Sequence, residues 1–103
     1  MYQVVREQSR PNIDVKFFSI HMCDAEVINY WGTTYVDSGK QVNSTHTLSD
    51  DKLTLTSMFL YKTRDEWHEM TADKYLNETL FKQQTEYNKE NNITRIFKSA
   101  FEI

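Results

Sequence analysis

The run Ile13-Asp14-Val15-Lys16-Phe17-Phe18-Ser19-Ile20 alternates apolar and polar residues and then becomes apolar on both faces, the pattern of a strand that runs into a core. Val4 and Val5 extend it toward the N-terminus, and Pro11, whose nitrogen cannot join a ladder, marks a bulge, an edge or a break between two short strands. Asp24 then caps a helix predicted through about Val36, with Val27, Trp31 and Tyr35 spaced four apart, Ile28 beside them, and Gly39 closing the segment. A competing reading takes Thr33-Thr34-Tyr35-Val36 as a strand and Asp37-Ser38-Gly39-Lys40 as a hairpin turn.

Gln41 to Thr47, the turn Ser49-Asp50-Asp51-Lys52 and the run from Leu53 to Tyr61 form the clearest hairpin. In its second strand Leu53, Leu55, Phe59 and Tyr61 share one face, and Met58 and Leu60 make the other apolar at its far end. Thr63-Arg64-Asp65-Glu66 is a capping box, with the Thr63 hydroxyl placed to accept from the Glu66 amide. Trp67 and Met70 start one helical stripe, whereas Leu76, Leu80 and Tyr87 define another, so the helix breaks near Ala72-Asp73 and a longer one runs from there to about Glu90. Asn91 and Asn92 close it, and Ile93 to Ile103 forms the last strand, with Phe97, Phe101 and Ile103 on one face and Ile96 and Ala100 on the other.

Strand, helix, hairpin, helix, strand is the ferredoxin-like β-α-β-β-α-β order of an α+β sandwich, in which a four-stranded antiparallel sheet carries both helices on one face. Residues 1–103 are expected to make a single such domain. The other sheet face is then left open, and Phe18, Met58, Leu60, Ile96 and Ala100 would make it partly apolar, the mark of a partner surface. A second copy of the chain is the simplest partner.

Composition narrows the function classes. The formal net charge of −3 and the scattered basic residues argue against nucleic acid, which demands clustered Lys and Arg. No stretch approaches the length of a membrane span, the N-terminal run has no signal-peptide core, and Cys23 stands alone, so a cytoplasmic protein without disulfides is expected. Gly32 and Gly39, far apart, build no phosphate loop.

The chain resembles the dimeric α+β barrel proteins related to antibiotic-biosynthesis monooxygenases. The resemblance rests on element order over Ile13 to Ile103 and on the run from Phe59 to Asp73, where an aromatic-ended strand, a Thr63 cap, an aromatic at Trp67 and an Asp before the next helix look like that family's strand-to-helix junction. It implies a fold and a homodimer more than an activity. Aligned on Thr63 and Trp67, Met70 falls where the haem-degrading branch has a helical Trp and Thr79 near its haem-ligating His, so haem degradation is not implied.

Among candidate chemistries, Trp31, His46 and Trp67 are a ligand-pocket set, apolar with one titratable group. Tyr30 and Tyr35 are further aromatics of the same stretch, and His68 and His46 alike are more simply surface residues. His21 and Cys23 lie where ferredoxin-like metal chaperones carry two thiols; one thiol and one imidazole would need further ligands, and a buried thiol beside a helix cap is the plainer role. No cofactor is called for. The sequence thus leads to a homodimeric accessory or assembly protein acting through protein contacts, a class that includes small phage and viral components. The alternatives are a cofactor-independent monooxygenase-like enzyme and a small-ligand or metal-binding module.

Overall fold

The first strand, β1, is Tyr2–Ser9, and the run Ile13 to Ile20 that carries the stronger apolar pattern is not a strand. The computed structural model describes all 103 residues and shows why. After Pro11 the Asn12 carboxamide accepts from the Asp14 amide at 2.9 Å, turning the chain out of the ladder. Arg10 holds the segment beyond this turn, its guanidinium donating to the carbonyls of Lys52 and Val15 and lying 4.6 Å over the Phe17 ring. Residues 11–19 become a strap across the molecule, and Ile13 stays 61% exposed.

β1 occupies the centre of a four-stranded antiparallel sheet with β2 (Gln41–Leu48), β3 (Thr54–Tyr61) and β4 (Thr94–Glu102), in the order β2-β3-β1-β4. Val4 lies opposite Phe59 of β3 and Ala100 of β4. The expected hairpin and the α+β ferredoxin-like architecture are therefore present, with β1 displaced toward the N-terminus.

Register decides which side chains share a face. Val5 pairs with Ser99 but Arg6 with Phe97, leaving Lys98 as an extra residue of a β-bulge. The bulge reverses the alternation of β4, so Ala100 and Phe97 face the helices while Ile96 and Phe101 face away. Ala100 therefore does not belong to the open face, contrary to the simple alternation, and Phe18 lies in the strap, packed against the helical side.

On the covered side, α1 (Ala25–Trp31) comes after a short 3₁₀ turn, Ile20–Met22, and runs into a single π-helical turn, Gly32–Val36, where the Asp37 amide donates to the Gly32 carbonyl at 2.8 Å. Four-residue steps overshoot a turn of about 3.6 residues, and the wider π turn winds back that drift, keeping Tyr35 over the core with Val27. The helix reading of this segment is correct and the hairpin reading is not. Asp24 occupies the N-cap through its backbone carbonyl alone, and Gly39, at φ 81°, supplies the left-handed residue before β2.

Thr63 caps α2 (Arg64–Ala72), but its hydroxyl accepts from Asp65 and bonds the Glu66 carboxylate directly, instead of accepting from the Glu66 amide. The break near residue 73 is present, and α3 (Lys74–Glu78) begins there with Asp73 accepting from the Leu76 amide at 3.0 Å. The expected longer helix is interrupted again at Thr79, whose hydroxyl donates to the Tyr75 carbonyl, before α4 (Leu80–Glu90). Asn92, at φ 55°, closes it as expected.

Asp73 also receives the hydroxyls of Tyr30 at 2.7 Å and Tyr35 at 2.5 Å, both on one carboxylate oxygen. Burial alone would raise its pKa, but the hydrogen bonds from Tyr35, Tyr30 and the Leu76 and Tyr75 amides together outweigh that and hold the carboxyl below its ordinary value. Above it, Leu76, Leu80 and Met70 close with Val27, Cys23 and Tyr35 on Tyr2, Val4 and Tyr61 of the sheet. This core is small: 14 of 103 residues are buried, because one sheet face is bare and half of the other lines a cavity.

A depressed carboxyl contributes stability that is present above its unfolded pKa and lost as the pH falls through the folded value. Asp73→Asn, which keeps a helix cap but loses the anionic acceptor, is expected to cost about 1–2 kcal/mol at neutral pH. That deficit should shrink as the pH drops below about 4. Urea unfolding of both proteins across this range checks it, and a deficit independent of pH would count against the charged acceptor.

Candidate functional site

The apolar half of the covered sheet face ends at Phe59 and Tyr61, and beyond them the same face turns polar: Arg6 and Gln8 of β1, Ser57 of β3, Ser44 and His46 of β2, and Arg95 of β4. Asn88 of α4 donates to Gln8 Oε1 of this half at 3.3 Å, and elsewhere the helices stand back from it. A cavity of about 730 Å³ separates them from it, walled on the third side by Phe17, Phe18 and His21 of the strap and 3₁₀ turn. Trp31, Trp67, Met70, Leu80 and Phe81 form the apolar roof. Tyr87 anchors the strap there, donating to the Lys16 carbonyl at 2.6 Å with its ring 5.7 Å from Phe18.

The structure thus brings Trp31, His46 and Trp67 into the wall of one cavity. Trp67 is fixed by stacking on Tyr2, 5.4 Å away, and on Phe97, 6.3 Å away. His46 shares a hydrogen bond of 2.8 Å between its Nδ1 and Ser57 Oγ and meets Phe59 edge-on at 5.9 Å. Ser57 is buried and orients the imidazole, whose Nε2 has no protein partner. Gln41, 6% exposed, also lines the space, and its Oε1 is buried without any hydrogen-bond partner. A buried lone acceptor costs free energy unless something that enters the cavity donates to it.

Tyr30 and Tyr35 stand outside this wall, committed to Asp73. His21 borders the cavity, whereas Cys23 is buried in the helical core, its thiol pKa pushed up by burial and then by Asp24. That shift disfavours the thiolate a metal would require, and no third His, Cys, Asp or Glu joins them in a ligand group. His68 is on the surface and accepts from Arg64 Nε at 3.0 Å. Met70 roofs the cavity, and Thr79 spends its hydroxyl on the Tyr75 carbonyl, so the junction offers no imidazole where the haem-degrading branch has one.

No protein-family model matches this sequence, and no curated protein resembles it at the sequence level. Among solved structures, a candidate antibiotic-biosynthesis monooxygenase from Deinococcus radiodurans superposes with a TM-score of 0.55 at 12% identity, over 100% of this chain and 92% of that one. A dimeric ferredoxin-like protein from an uncultured marine organism superposes with a TM-score of 0.53 at 11% identity, over 99% and 97%. The chain shares their fold. The resemblance read from element order is correct at that level, and identities this low carry the fold alone.

Arg6 and Arg95 were missed by sequence reasoning. They stand 89 positions apart, and the register places them as diagonal neighbours on adjacent strands, roughly 7–8 Å apart at the backbone. Neither guanidinium makes a hydrogen bond within the protein or joins any of the three ion pairs, although Arg6 lies 5.6 Å over the Phe97 ring. Burial pulls the Arg95 pKa down to about 10, with the like charge of Arg6 adding to the effect, and burial lowers Arg6 as well. Tyr61 beside them is pushed up to about 12 by burial, against the pull of the two guanidiniums.

A base whose folded pKa is lowered works against folding wherever it is charged, which for Arg95 includes neutral pH. Arg95 is nevertheless exposed, and solvent screens most of that penalty, so Arg95→Gln is expected to raise the melting temperature of the ligand-free protein by no more than about a degree. Differential scanning calorimetry checks this, and a lower melting temperature would show that the guanidinium makes a stabilising contact of its own.

Proposed function

We propose that this chain is a homodimeric small-molecule-binding protein, each protomer holding a planar, largely apolar ligand in the cavity between its helices and the polar half of its sheet. The observation that carries this is the cavity itself: about 730 Å³ walled by seven aromatic rings of Phe, Tyr and Trp, with the unpartnered Gln41 Oε1 and the Ser57-held His46 as its polar points. Space of that size and lining suits a drug-sized molecule, and contact with aromatic walls suits a planar one.

The dimer reading rests on the bare sheet face. Val5, Met58, Leu60, Ile96 and Phe101 lie on it, Val5 directly opposite Met58, with Ile96 and Phe101 49% and 45% exposed. The dimeric ferredoxin-like neighbour supports self-association of this fold. A role confined to protein contacts draws on this face alone and leaves the cavity without a purpose.

A cofactor-independent oxygenase of the kind named for the Deinococcus radiodurans neighbour is a second reading, favoured by His46 as a base held in an aromatic cavity. No residue orients the imidazole beyond Ser57, so ligand binding is the reading adopted.

Light scattering after size exclusion should give the dimer mass, and Leu60→Glu, which puts a charge on the bare face without touching the core, should give the monomer. A wild-type monomer would remove the dimer from the proposal. Both tryptophans of the chain line the cavity, so a planar aromatic such as 2-naphthamide should quench their fluorescence saturably. Trp31→Ala should weaken that binding roughly 10-fold or more, the scale of a lost aromatic contact surface. Oxygen uptake during incubation with a bound aromatic would favour the oxygenase reading instead.

A further inference from the structure

We propose that the ligand of this cavity carries an oxyanion, a carboxylate or a phosphate, clamped between Arg6 and Arg95. The inference rests on the cavity being a ligand site and names the chemistry of one end of its occupant.

Both guanidiniums reach the covered side of the sheet from adjacent strands. There they line the aromatic cavity and also a smaller one of about 390 Å³, whose wall is polar except for Ile93 and includes Lys89 and Gln84. No carboxylate lines either cavity, and Glu7, between Arg6 and Gln8 in sequence, points to the opposite face of the sheet. Two like charges are thus held close, Arg6 half-buried and Arg95 exposed, with their forked donors unused.

An arrangement that gathers guanidiniums at the rim of an apolar cavity without a counter-ion is organised for an anion brought by the ligand, because arginine's planar fork matches carboxylate and phosphate oxygens two at a time. The ligand's rings would then lie toward Trp31 and Trp67 and its charged end toward β1 and β4. Phe97 under Arg6 fixes one of the two forks before any ligand arrives.

The test uses tryptophan fluorescence titrations of the full chain with three probes that share one ring system: 2-naphthoate, 2-naphthyl phosphate and the neutral 2-naphthamide. Either anion should bind at least roughly tenfold more tightly than the amide, the scale of hydrogen bonds to a charged group. The anion that binds more tightly identifies whether a carboxylate or a phosphate is the natural head group. In the Arg6→Gln, Arg95→Gln double variant, shown by circular dichroism to fold, the amide should bind as before and the anion preference should vanish. Should that variant not fold, Arg95→Lys, which keeps the charge but not the fork, should retain only part of the preference. Equal affinity of the wild type for all three probes would overturn the oxyanion clamp and leave the cavity reading intact. Binding of none of them would overturn both.

Discussion

One carboxylate sets the position of the helical layer. Asp73 ends α2, caps α3 through the Leu76 amide, and takes the hydroxyls of Tyr30 and Tyr35 from the far side. The α1 and π-turn stretch and the α2–α3 junction, distant in sequence, are thereby fixed to one another at one end of the sheet. The resulting packing, with Leu76 and Tyr35 almost fully buried over Val4, closes that end tightly. Because the helices are tied there and α3 is only five residues long, they do not reach down over the whole sheet face. The cavity is the space this tether leaves.

The division of the sheet face into an apolar and a polar half has its origin in the same arrangement. Tyr2, Val4, Phe59, Tyr61 and Ala100 meet the helices and contribute burial, each at roughly 25 cal/mol per Å² removed from water. Arg6, Gln8, Ser57, His46 and Arg95 continue the same strands, on the same face, into the cavity. Nothing in the stability of the fold asks for two facing guanidiniums and an unsatisfied Gln41. Departures of this kind from good packing concentrate where a protein binds something, since the same groups that weaken the empty fold are completed by a ligand.

The misplacement of the first strand has the same cause. By hydrophobicity alone Ile13 to Ile20 outscores Tyr2 to Ser9, because β1 turns polar at Arg6 and Gln8 where it lines the cavity. The strap keeps its aromatics for a different purpose, walling the cavity with Phe17 and Phe18. The expected open face was partly wrong for a related reason. Strict alternation along β4 assigns Ile96 and Ala100 to one side, whereas the bulge at Lys98 separates them, and nothing in the residue types of that strand announces a bulge.

Elements whose stability is local were legible in the residues themselves: the Thr63 cap, the break at Asp73, the hairpin of β2 and β3, the helix from Asp24 and the closing Asn92 each depend on neighbours a few positions away. Their order led to the ferredoxin-like fold, and Trp31, His46 and Trp67 were recognisable as aromatic and titratable residues suited to a pocket. That they surround one space, that Ser57 holds His46, that Gln41 is left without a partner and that Arg6 and Arg95 converge were decided only by the tertiary structure. The physical reason is that a cavity and its charges are made by what fails to touch across strands and helices far apart in the chain, and local sequence carries no record of a contact that is not made.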